Sequence, residues 1–95
     1  MADTEDRVRR RVRISGRVQG VGFRETCRRQ AQMLGLAGTV RNLPDGSVEA
    51  VVEGGPAVVD RMIEWCRQGP RSALVRHVDV AYEAPTGVSG FTISF

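Results

Sequence analysis

Ninety-five residues, 41% hydrophobic and only 5% aromatic, suit one compact domain packed mainly with Val, Leu, Ile and Ala. The formal net charge is +3 and all fourteen basic residues are Arg, a modest excess that disfavours a polyanion-binding protein. Two distant cysteines and one His make no zinc pattern, no calcium-loop spacing occurs, and no run approaches the roughly 20 apolar residues that cross a bilayer, so no metal, cofactor or membrane is expected.

In chain order, residues 1–7 read as a flexible polar tail, and 8–95 as a single domain. The start, M-A-D-T-E-D-R, is charged and lacks an apolar h-region, so no signal peptide is expected and the expected compartment is the cytoplasm. Over 8–15 the pattern alternates: Val12 and Ile14 face one way, Arg11, Arg13 and Ser15 the other. That is a half-buried strand. Six arginines crowd this region: Arg7, Arg9, Arg10, Arg11, Arg13 and Arg17. A solvated strand face, balanced by Asp3, Glu5 and Asp6, is favoured over a nucleic-acid patch. The glycines of 16–22 are expected to end the strand.

Residues 23–34 have helical spacing, with Phe23, Cys27, Ala31 and Leu34 on one stripe and Gly35 at the C′ position. A second strand is expected near 37–41 with Val40 inward. Asn42-Leu43-Pro44-Asp45-Gly46 has hairpin-turn chemistry. A third strand, 47–53, alternates through Val48, Ala50 and Val52, and Gly54-Gly55-Pro56 stops it. A second helix over 56–67 carries Val59, Met62, Ile63 and Cys66 on its apolar stripe, with Pro56 in its first turn. A fourth strand, 74–83, places Val78, Val80 and Tyr82 on one face. After a Pro/Gly/Ser loop at 84–90, Phe91, Ile93 and Phe95 mark a short last strand.

The order β-α-β-β-α-β plus a short strand predicts an α+β, ferredoxin-like sandwich. Its two helices lie on one face of a mostly antiparallel sheet. A right-handed crossover makes the first two strands parallel. Their C-terminal ends then share one edge of the sheet, which brings Arg24 and Asn42 to the same end of the domain with one strand between them.

The stretch G-R-V-Q-G-V-G-F-R (16–24) is the candidate for chemistry. It lacks the lysine of a Walker loop, and Glu25 stands where the dinucleotide fingerprint needs Gly. The physical logic survives: a glycine turn entering a helix leaves N–H groups free for an anion, and Arg24 adds a planar fork of donors. The loop by itself leaves two readings open, an anion cradle or a simple strand-to-helix turn. His77 lies in a strand away from this loop and reads as structural or exposed. Cys27 and Cys66 lie on apolar stripes and read as core. A base-stacking RNA module is disfavoured, since 8–15 and 47–53 contain no aromatic residue.

R-V-R-I-S-G-R-V-Q-G-V-G-F-R (11–24), followed by L-G-L-A-G-T-V-R-N-L-P-D-G-S-V-E-A (34–50), closely resembles the acylphosphatase family over about residues 8–95. The resemblance implies metal-independent hydrolysis of the carboxyl-phosphate bond of a small acyl phosphate by a cytosolic ferredoxin-like protein. It assigns Arg24 to phosphate binding and Asn42 to orienting the attacking water. Gln19, Gly20, Val21, Gly22, Phe23 and Arg24 would form the cradle, open to inorganic phosphate or another anion. No nucleic-acid partner is implied, and a monomer is expected. Thr39 stands where members often carry Trp, and Glu25 places a negative charge beside the anion site.

Overall fold

A computed structural model describes residues 6–95. The expected polar tail therefore lies largely outside the described residues; its last member, Arg7, donates to the Glu53 carboxylate at 2.7 Å. The elements are β1 (Val8–Arg17), α1 (Phe23–Met33), β2 (Ala37–Asn42), β3 (Val48–Gly54), α2 (Pro56–Gln68), β4 (Leu74–Glu83) and β5 (Phe91–Ile93). They form one five-stranded sheet in the order β4-β1-β3-β2-β5, antiparallel throughout except for the β2–β5 pair. Both β1 and β2 run against β3, so they are parallel, as the crossover argument requires.

Alternation builds the core. Val12, Ile14, Val40, Val48, Ala50 and Val52 are fully covered on the helix side, against Phe23, Cys27 and Ala31 of α1 and Val59, Met62, Ile63 and Cys66 of α2. Trp65 meets the Phe23 ring edge-on at 5.4 Å and joins the two helices where α1 begins. Helix α1 closes with paired bonds from Leu36 N–H to Ala31 O (2.9 Å) and Gly35 N–H to Gln32 O (3.1 Å). This is the C-cap signalled by Gly35.

Most element bounds differ from the sequence reading by a residue or two, the last strand stopping at Ile93 short of Phe95, and the difference with a clear physical reason is at β1. β1 continues through Gly16 to Arg17, with its register against β4 shifting between Ser15 and Gly16. Gly16 does not break the strand. It lets β1 and β4 stay paired where a Cβ would stand 2.2 Å from the Leu74 carbonyl oxygen.

The face of the sheet away from the helices carries the arginines. Arg9 bridges Glu83 (2.9 Å) and Glu53 (3.0 Å), Arg11 binds Glu49 (3.0 Å) and Glu83 (2.5 Å), and Arg41 binds Glu49 (3.0 Å). Arg13 pairs with Asp45. The solvated-face reading holds, and among the described residues the acids that pair with these arginines are cross-strand neighbours and the turn residue Asp45. Asp3 and Glu5 lie outside the described residues. Arg10, on the helix side of β1, lies 3.9 Å over the ring of Tyr82. Tyr82 is nonetheless largely exposed.

Candidate phosphate site

The site lies at the sheet edge where β1 and β2 end. After β1, Val18 turns into the core, and the chain passes through Gly20 (φ 73°) and Gly22 (φ 77°) before α1 starts at Phe23. These left-handed angles need glycine. Gly22 is the N-cap of α1 and provides no side-chain cap. The first-turn N–H groups are therefore left without a capping partner and point their partial positive charge out of the helix end. The first helical backbone bond runs from Thr26 N–H to Gly22 O.

A cavity of about 190 Å³ opens at this end, lined by Val18, Gly20, Gly22, Phe23, Arg24, Glu25, Asn42, Ile93 and Phe95. Arg24 and Asn42, the two residues singled out from sequence, thus face one space. Arg24 is half-buried and, among the described residues, makes no ion pair; its guanidinium carbon lies 5.4 Å from the centroid of the Phe95 ring. Phe95 is otherwise exposed, so the contact is a solvated one and leaves the N–H fork of Arg24 free. Asn42 is the last residue of β2, paired with Val48, and among the described residues nothing hydrogen-bonds its side chain.

Gly20, Gly22, Phe23 and Arg24 line the cavity, whereas Gln19 and Val21 do not. Val21 leans on the core. Gln19 instead donates its side-chain N–H to Leu43 O (2.8 Å) and Ser47 O (2.9 Å), bracing the loop against the turn that follows Asn42. That turn is held by Asp45, which accepts from Ser47 N–H (3.0 Å) and Ser47 Oγ (2.6 Å).

Glu25 lines the cavity, so its charge is not removed from the site. It is engaged by Arg28, with Arg29 at 3.6 Å, and its carboxyl is held below the usual value chiefly by the Arg28 hydrogen bond. Three lining residues that sequence reasoning did not assign to the site are Val18, Ile93 and Phe95. The alternation of Ile93 and Phe95 was visible; their place beside β2 was not. His77 is exposed on β4, 2.9 Å from Asp79, and does not line the cavity. Cys27 and Cys66 are both buried free thiols, and the Cys27 thiol is pushed up by its contact with Cys66 and by burial. A thiol so placed is a poor nucleophile. Among the described residues no cluster of side chains could hold a metal ion.

The acylphosphatase family model matches residues 10–93. An acylphosphatase of Gloeobacter violaceus is 57% identical over 86 residues, which are 90% of this chain and 92% of that one. An acylphosphatase of Thermococcus kodakarensis is 55% identical over 87 residues, covering 92% and 96% of the two chains. Among solved structures, an acylphosphatase from Coxiella burnetii superposes with a TM-score of 0.92 at 35% identity, over 97% of each chain.

Proposed function

The chain belongs to the acylphosphatase family, and we propose that this cavity hydrolyses the carboxyl-phosphate bond of small acyl phosphates through Arg24, the α1 N-terminus and Asn42. The observation that carries the reading is that one cavity is lined by Arg24, the N-terminus of α1 and Asn42, and that among the described residues Arg24 makes no ion pair, the helix end has no side-chain cap and the Asn42 amide has no partner.

The chemistry suits so few groups. An acyl phosphate is a mixed anhydride whose leaving carboxylate has a pKa of about 4 to 5, so it departs without a proton from the enzyme. Phosphoryl transfer has a loose transition state, and catalysis rests on positioning and charge stabilisation. The phosphoryl oxygens sit against the backbone N–H groups of the 19–24 loop, with the Arg24 fork neutralising their charge. An amide does not titrate usefully, so Asn42 is not a base; it accepts from and donates to a water held in line with phosphorus. Water attacks phosphorus as the bond to the carboxylate oxygen breaks. The water's proton passes to a phosphoryl oxygen of the substrate, and the products are carboxylate and inorganic phosphate. The reading includes a monomer acting in the cytoplasm. No helix of the described residues is long and apolar enough to cross a membrane.

The test is hydrolysis of benzoyl phosphate in the presence of chelator. Wild type turns over. Arg24→Ala loses roughly a hundredfold or more in kcat/KM, the usual cost of a preorganised charge-stabilising donor. Asn42→Ala loses kcat while staying folded. An inert wild type that still binds phosphate would leave an anion-binding module; full activity in Asn42→Ala would remove the water-orienting role.

A further inference from the structure

At the end of the sheet remote from the cavity, the carboxylate of Glu53 is completely buried. It accepts from Arg7 Nε (2.7 Å), Arg9 Nη1 (3.0 Å), Gly87 N–H (2.7 Å), Thr86 Oγ1 (3.0 Å) and Thr86 N–H (3.0 and 3.1 Å to its two oxygens). Ion pairing to the two arginines would need no loop. Here three donors come from the irregular 84–90 segment, two of them backbone N–H groups that belong to no strand ladder. Arg7 adds a bond from Nη2 to Val88 O (2.5 Å). Glu53 and its arginines clasp the segment onto the sheet.

That segment leads directly into β5. β5 is only three residues long, lies at the sheet edge and among the described residues has β2 as its single neighbour. Such a strand is marginal unless both ends are fixed. It is tied by Gly38 N–H to Gly90 O (2.9 Å), by Ser94 N–H to Val40 O (2.8 Å), by Gln32 Nε2 to Phe91 O (3.2 Å) and by the buried Phe91 ring. It runs parallel to β2, so it starts near Glu53 and ends at the cavity, where Ile93 and the otherwise exposed Phe95 border the opening, the Phe95 ring centroid 5.4 Å from the Arg24 guanidinium carbon.

We propose that Glu53 is a positioning residue for the phosphate site: by clasping the 84–90 segment it sets the place of β5, and through β5 the place of Ile93 and Phe95 beside Arg24. The inference rests on the reading of the cavity as an acyl phosphate site. It separates Glu53 from a stabilising ion pair, because an ion pair would affect folding and leave the cavity rim at Ile93 and Phe95 untouched.

The experiment compares the full chain as wild type, Glu53→Gln, Phe95→Ala and the double variant. The readouts are kcat and KM for benzoyl phosphate, inhibition by inorganic phosphate, and amide exchange across residues 84–95. Glu53→Gln is expected to exchange at least tenfold faster at Thr86, Gly87 and the β5 amides. Its KM and phosphate inhibition constant should rise several-fold while kcat changes less. In the double variant, adding Glu53→Gln to Phe95→Ala should weaken phosphate binding no further. A Glu53→Gln protein that loses only thermal stability, or effects that multiply in the double variant, overturn the proposal. If Glu53→Gln does not fold, Thr86→Val removes one loop donor, and the same readouts should shift two- to threefold; unchanged values also overturn it. An inert wild type would remove the hydrolase reading alone, and the phosphate-binding and exchange measurements would still decide the role of Glu53.

Discussion

The side-chain amide of Gln19 donates to the carbonyl of Leu43 at 2.8 Å, so the loop after β1 is bolted to the residue next to Asn42. With its second bond to Ser47, this single side chain sets the spacing between the backbone cradle and the residue that faces it. Gln19→Ala keeps every cradle N–H but removes that brace. Two neutral hydrogen bonds contribute about 1 kcal/mol each. The expected outcome is roughly a tenfold fall in kcat/KM with a modest loss of stability, read from steady-state kinetics and urea unfolding. An unchanged kcat/KM would show that the two motifs do not depend on each other through Gln19.

Glu25 stands at the cavity with its charge tempered by Arg28 and Arg29. Glu25→Gln should therefore tighten inorganic phosphate binding two- to threefold at low ionic strength, and salt should erase the gain. The same change removes an acidic residue from the first turn of α1, which favours negative charge, so the melting temperature should fall slightly. Calorimetric titration at two salt concentrations measures the first effect. Weaker phosphate binding in the variant would mean that Glu25 organises the site instead of opposing its ligand.

Gly16 and Gly20 both have positive φ, 129° and 73°, yet their surroundings differ. A Cβ at Gly16 would lie 2.2 Å from Leu74 O and 2.8 Å from Arg76 N, both backbone atoms that cannot move aside. A Cβ at Gly20 would meet nothing within 4 Å. Gly20→Ala should cost about 1 kcal/mol, the strain of a left-handed residue. Gly16→Ala should cost several times more or prevent folding. Equal losses in denaturant unfolding would refute the close approach of β1 and β4.

The Glu53 carboxyl is held at about 2, against an ordinary 4.5. Burial pushes it upward, and the Arg7 hydrogen bond, the Gly87 and Thr86 amides and Arg9 more than offset this. A carboxyl depressed in the folded state contributes stability above its unfolded pKa. That contribution is complete above about pH 4.5 and is lost as pH falls toward 2. At about 1.4 kcal/mol per unit, the contribution is on the order of 3 kcal/mol. Urea midpoints should fall steeply over this window in wild type and less steeply in Glu53→Gln. Parallel curves would show that other carboxylates carry the acid limb.

Local patterning was enough for much of this protein. Alternation at Val12 and Ile14, helical spacing from Phe23 to Ala31, and the Pro44-Asp45-Gly46 turn each depend on neighbours in sequence, so they could be read without a structure. The two parallel strands then placed Arg24 and Asn42 at one edge, because a right-handed crossover leaves little choice. Tertiary structure decided what depends on which surfaces meet. Nothing within Phe91-Thr92-Ile93 says that it pairs with β2, so Phe95 could not be assigned to the site. The partners of Arg9 and Arg11 are neighbours across strands, at separations the chain does not encode locally. Gly16 looks in sequence like a strand breaker; only the approach of β4 shows that its missing side chain keeps the strand paired. Short-range periodicity carries the elements and the two site motifs, while contacts between distant segments decide how those motifs are held.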